Sequence, residues 1–151
     1  MKSATLLLFL SLIGSGALVG KKSLEGQWEG LITTGGLYSG EKLPMQIYLT
    51  IKGKRVEGRT YIVVGEGQTV QMDLVGRLFN DGSIQLEEVK YVGDENNDYF
   101  PKFNRQYQLA WKRDLWDASL NGYWQEVTNK TFYNFRERGR ITLKKVKESG
   151  V

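Results

Sequence analysis

After residue 23 the chain alternates apolar and polar positions with a period of two almost throughout, the pattern of strands with one buried face. In LPMQIYLTIK, residues 43 to 52, Met45, Ile47, Leu49 and Ile51 share one face, while Gln46, Tyr48, Thr50 and Lys52 share the other. Reading the rest in the same way predicts eight strands, at 26–33, 43–52, 55–64, 68–79, 83–92, 104–112, 115–127 and 139–147, and no helix after the leader. Tight connections are expected at Gly53-Lys54, Asn80-Asp81-Gly82 and Arg113-Asp114. TTGGLYSGE, GDENNDYFPKF and TNKTFYNFRER make long ones, with the short GEG at Gly65 between strands three and four. In a chain of successive hairpins this order gathers the long loops at one end and the tight turns at the other.

These strands predict an all-β fold, an eight-stranded antiparallel up-and-down meander barrel, because closure removes the exposed edges a flat sheet would leave. A two-sheet β-sandwich is the alternative, since period-two strands suit either. Within the apolar rows a glycine recurs in one frame: LEGQW at Leu24, VEGRT at Val56, LVGRL at Leu74 and LNGYW at Leu120. Gly26, Gly58, Gly76 and Gly122 are therefore expected on the inward face at sharply coiled points, with aromatic rings stacked over them.

The first residues change the picture of where this barrel works. Lys2, the apolar run from Leu6 to Ile13 and the small residues Ser15-Gly16-Ala17 have the layout of a secretory signal peptide over 1–20, cut after residue 17 or 20. The apolar run is shorter than the roughly 20 residues a membrane-spanning helix needs. Residues 21–151 would then form one domain, secreted or periplasmic. The chain has no cysteine, which excludes a disulfide framework and a lipid-modified cysteine, so burial and backbone pairing must hold the fold. A net charge of +4, with signs alternating along the chain, describes a solvated surface and no nucleic-acid stripe. An outer-membrane barrel would turn the apolar row to lipid, which the glycines in that row and the lysine-rich KKVKESGV ending argue against.

Gly26-Gln27-Trp28 at the head of the first strand, followed by seven further strands in hairpin order, resembles the lipocalin and wider calycin superfamily, with its avidin-like barrels. The resemblance implies that Trp28 sits near the closed end and that a basic residue late in the last strand packs across it. Lys145 or Lys147 is placed to do so, where lipocalins use arginine; Arg140 would lie at the open end. Asn97-Asp98-Tyr99 is similar, in two residues of three, to the superfamily's threonine-aspartate-tyrosine turn. A ligand pocket at the open end is what the resemblance implies for function, with no particular ligand.

Taking the apolar face as inward, Ile32, Met45, Ile62, Met72, Tyr107 and Trp124 would line the upper cavity. Trp28, Ile51, Val56, Leu78, Ile84, Trp111 and Trp116 would lie nearer the closed end as structural residues. Of the 18 aromatic residues, 11 fall between Tyr99 and Phe135. Tyr38, Tyr99, Phe100, Phe103, Phe132, Tyr133 and Phe135 sit on long loops that converge on the opening, where they would either rim a binding site or fold inward and plug it.

Catalysis gets little support. Without a histidine there is no Ser-His-Asp triad and no histidine general base or metal site. Glu87, Glu88 and Glu126 are carboxylates on strands, but adjacent Glu87 and Glu88 point to opposite faces, and exposed acids are the ordinary reading. DENND at Asp94 lacks the spacing and central glycine of an EF-hand, so no metal or other cofactor is expected. Asn129-Lys130-Thr131 fits a glycosylation sequon. The expectation is a secreted, non-enzymatic barrel that binds a small apolar, amphipathic or sugar-like ligand. The alternative is a structural or interaction protein of the cell envelope, with a filled barrel, that binds an envelope protein or surface polymer.

Overall fold

A computed structural model describes residues 23–38, 40–114, 116–127 and 136–148. The expected signal peptide at 1–20, the sequon at 129–131, and Phe132, Tyr133 and Phe135 lie outside them. Eight antiparallel strands follow in order: β1 (Gly26–Thr34), β2 (Glu41–Lys52), β3 (Arg55–Val63), β4 (Thr69–Leu78), β5 (Ser83–Tyr91), β6 (Arg105–Lys112), β7 (Ser119–Glu126) and β8 (Arg138–Lys145). Each pairs with its neighbours in sequence, and β8 returns to β1 from Trp28↔Lys145 to Ile32↔Ile141, closing a barrel rather than a sandwich. One 3₁₀ turn, Gly65–Gly67, joins β3 to β4. Among the described residues no helix is long and apolar enough to cross a membrane.

The inward face carries a continuous apolar core, from Leu24 and Trp28 at the closed end through Leu49, Leu86 and Leu109 to Trp124 near the open end. Short turns at Gly53-Lys54 and 79–82 close one end. The connections at 35–38, 64–68 and 92–104 lie at the other. The residues just before β1 seal the closed end: Leu24 is buried, its carbonyl accepts the Trp28 indole N–H at 2.9 Å, and Glu25 Oε1 accepts the Ile51 N–H at 2.9 Å.

Closing eight strands forces sharp coiling, and the glycines mark where. At the inward positions Gly58, Gly76 and Gly122 a Cβ would run into the carbonyl oxygen of Tyr48, Gln85 and Gln108 respectively, on the next strand. The closest neighbours are thus backbone carbonyls rather than the expected aromatic rings. The glycine beneath a ring is Gly139, whose Cβ would meet the Trp124 indole. Gly26 differs again: its φ is +100°, and a Cβ there would come within 3.0 Å of Lys145 Nζ.

Two local departures matter. The expected strand from residue 115 starts only at Ser119, because Asp114 Oδ1 accepts the Trp116 N–H at 3.3 Å and bends the chain out of the ladder. Trp116, expected inside, is 77% exposed. Between β4 and β5 the register shifts from Asp73↔Lys90 to Leu74↔Glu88, leaving Val89 as an extra, outward residue. Glu88 and Tyr91 therefore both face inward, opposite the buried Leu74 and Met72.

Replacing Gly122 with valine is expected to cost roughly 2–4 kcal/mol in urea denaturation, because the obstructing atom is a backbone carbonyl that cannot swing aside. Gly65→Ala, where the nearest atom to a new Cβ is Tyr99 Oη at 3.9 Å, should stay within about 1 kcal/mol.

Candidate functional site

The six strand residues expected to line an upper cavity, Ile32, Met45, Ile62, Met72, Tyr107 and Trp124, all point inward, and each is at most 2% exposed. Exposure that low leaves little free surface beside them, so this part of the wall is closely packed. What occupies the centre is partly polar. Glu88, read from the sequence as an exposed acid, is completely buried. Its Oε2 accepts the Arg105 backbone N–H at 2.8 Å, and its Oε1 accepts the Tyr107 hydroxyl and lies 3.5 Å from Arg105 Nη1. The hydroxyl of Thr60, also buried, adjoins Tyr107.

Arg105 places its guanidinium carbon 4.8 Å from the Trp124 ring centre and 5.4 Å from that of Phe103. Those two rings stack at 6.1 Å and 17°. Arg105 Nε is buried without a hydrogen-bond partner, and the Trp124 indole N–H donates to the Thr33 carbonyl at 2.8 Å. Across the β6–β7 pair from Arg105, Glu126 is buried too, with Oε2 accepting the Glu137 N–H at 3.1 Å. The open half of the barrel thus holds a charged layer beneath a ring from the loop ahead of β6.

Burial raises the Glu88 carboxyl above the ordinary carboxylate range; the Arg105 charge and the Tyr107 hydrogen bond oppose it without cancelling it. Burial first, and the Glu88 charge second, push the Tyr107 phenol well above its usual value. The sequence contained a signal for this cluster. Glu88 has the parity of Ile84 and Leu86, and Arg105 that of Tyr107 and Leu109, which places all of them on the inward face of paired strands.

The loop aromatics divide. Tyr38 is 92% exposed, while Phe100 packs edge-on against Tyr91 at 5.1 Å and Tyr99 is partly buried with its hydroxyl near Gly65. Phe103 alone of the four packs against the core. Asp94 and Asn97 shape this loop as turn formers, accepting the N–H groups of Asn96 at 2.9 Å and Tyr99 at 3.0 Å. Among the described residues no group of three or more acidic side chains converges to hold a metal.

At the closed end Lys145 covers Trp28, with Nζ 5.0 Å from the ring centre, while Lys147 is exposed. The Lys145 ammonium has no hydrogen-bond partner, and burial lowers its pKa against the pull of Glu148 and Glu25. Grooves lie on the outer wall among the described residues. One of about 790 Å³ crosses β8, β1, β2, β3 and β4 past Leu31, Pro44 and Tyr61. Another of about 420 Å³ runs from β5 across β6 and β7 to Arg138 of β8, past Gln85, Gln108 and Tyr123, and Tyr107 and Trp124 also line it.

Because the folded Glu88 carboxyl binds its proton more tightly than the usual value of 4.5, its contribution to stability is fully present below that value and is lost as pH rises through the folded one. Unfolding free energies measured by urea titration should show Glu88→Gln gaining on wild type as pH climbs from about 4 to 7. A difference that does not change with pH would show that the buried carboxyl is not the source.

No protein-family model, curated protein or solved structure matches this chain, which leaves its description as an eight-stranded, closed antiparallel β-barrel resting on its own geometry.

Proposed function

We propose that this protein is a secreted or periplasmic, non-enzymatic binding module of lipocalin-like build, filled by its own side chains and acting at the cell envelope through its outer surface. The observation that carries this reading is the packed upper barrel, where Tyr107 is 0% and Trp124 2% exposed. A hollow carrier needs a cavity of roughly 300 Å³ or more bounded by such residues. The grooves of that size described above are lined mostly by outward-facing side chains, with Met45 at one and Tyr107 and Trp124 at the other. Secretion rests on the leader-like residues 1–20. The kinship with lipocalins rests on Gly26-Gln27-Trp28 and the covering Lys145.

A second reading keeps the small apolar or amphipathic ligand inside the barrel. Arg105 Nε, buried and unpartnered beside Phe103, is the observation in its favour, since a ligand displacing that ring would bring a polar group to it.

Titration with a fluorescent fatty-acid analogue separates the two. The filled barrel predicts no saturable change in tryptophan emission, together with sedimentation of the protein with envelope fragments of its host. Saturable quenching at one equivalent would transfer the assignment to the interior ligand. Mass measurement of the exported protein should place its first residue after residue 17 or 20, and an intact Met1 in the exported fraction would remove the basis for secretion.

A further inference from the structure

The outer face of β5–β8 is rich in amides and arginines. Two adjacent rows of side chains cross it in register. The first runs Arg77, Gln85, Gln108, Tyr123, Arg140. The second runs Glu87, Gln106, Gln125, Arg138. Four strands at roughly 4.8 Å spacing make the β5-to-β8 part of each row roughly 14 Å long, the scale of a short oligosaccharide. Four glutamine amides are packed into this area, Gln125 Nε2 donating to Gln106 Oε1 at 3.3 Å. A single ring, Tyr123, stands out at 53% exposed, with Arg140 against it at 6.0 Å. Glu87 is the one carboxylate in the two rows, against three arginines.

We propose that this face is a binding site for a strand of acidic polysaccharide, which deepens the surface-binding reading above and rests on it. The chemistry is specific to sugars in three respects. A primary amide offers donors and an acceptor together, the combination a sugar hydroxyl needs on both counts. The flat tyrosine ring suits the apolar face of a pyranose, and it lies between Gln108 and Arg140 in the row, so a sugar stacked there has an amide on one side and a cation on the other. The flanking arginines pair with carboxylate or sulfate groups, which is the charge complementarity that favours an acidic chain over a neutral one. A protein partner would want an apolar centre, which these rows lack. Single-stranded nucleic acid would want several rings for successive bases, where Tyr123 is the only one.

Calorimetric titration with sodium polygalacturonate at about 0.15 M salt tests the site, with dextran and an oligothymidylate as comparisons. Wild type should bind polygalacturonate saturably and dextran weakly or not at all. Tyr123→Ala and Gln108→Ala keep the net charge and should each weaken binding about tenfold or more. Lys147→Gln, exposed at the closed end beyond β8 and outside both rows, should leave it unchanged. Thermal unfolding of the variants establishes that they are folded, as expected for exposed side chains. Binding that ignores both neutral substitutions would reveal only the attraction of a basic protein for a polyanion and would overturn the site. Tighter binding of oligothymidylate would overturn it as well. If polygalacturonate fails to bind while the protein still sediments with envelope fragments and excludes the fatty-acid analogue, the site falls and the surface-binding reading stands. Uptake of the analogue beside Trp124 with intact polygalacturonate binding would reverse that outcome.

Discussion

Between Trp28↔Lys145 and Ile32↔Ile141, β8 completes a ring of backbone hydrogen bonds that leaves no strand edge, and the requirement to close governs the rest of the molecule. Eight strands enclose an interior only wide enough for side chains or one small ligand. The wall must curve tightly, and at Gly58, Gly76 and Gly122 it does so by bringing the inward face of one strand against a carbonyl of the next, where any Cβ would intrude. Closure also brings Lys145 over Trp28 and lets the Val146 N–H reach the Gln27 carbonyl at 2.9 Å, so the two ends of the described barrel lie together at the sealed end.

That geometry separates the structural from the surface roles. The closed end is held by Leu24, Trp28 and Lys145, and the open half by the charged layer around Glu88 with Phe103 stacked above it. A buried carboxylate with a guanidinium and a phenol is costly to assemble and tolerable only because each Glu88 oxygen is satisfied. The inward face is packed with aliphatic and aromatic side chains, while on the outward rows glutamine, tyrosine and arginine replace them.

Much of the fold could be read from alternation alone. Met45, Ile47 and Leu49 fixed the face of β2, and the same parity placed Ile32, Ile62 and Trp124 inside. The failures have local causes. Trp116 escaped because a single Asp114 carboxylate captures its backbone N–H, a turn that hydrophobic periodicity does not register. Tyr91 became inward only through the extra residue Val89, which reverses the parity of β5 at its open end. Glu88 was legible by position and was set aside by residue type, since an isolated acid is normally solvated; its partners come from β6, 17 and 19 residues away. Aromatic rings were expected over the glycines because the apolar frame says that space is needed there, without saying that a backbone takes it.

The charged layer has one more implication, for how the strands find their alignment. Most of the inward face is aliphatic, and sliding β6 along β5 by two residues would still set apolar groups such as Leu86 and Leu109 against one another. The same slide would set Glu88 opposite Tyr107 but carry it away from the Arg105 amide, leaving one buried carboxylate oxygen without that donor. Aliphatic layers can be exchanged for one another, whereas this one matches a single partner, so it acts as the key that distinguishes the native register from its near neighbours.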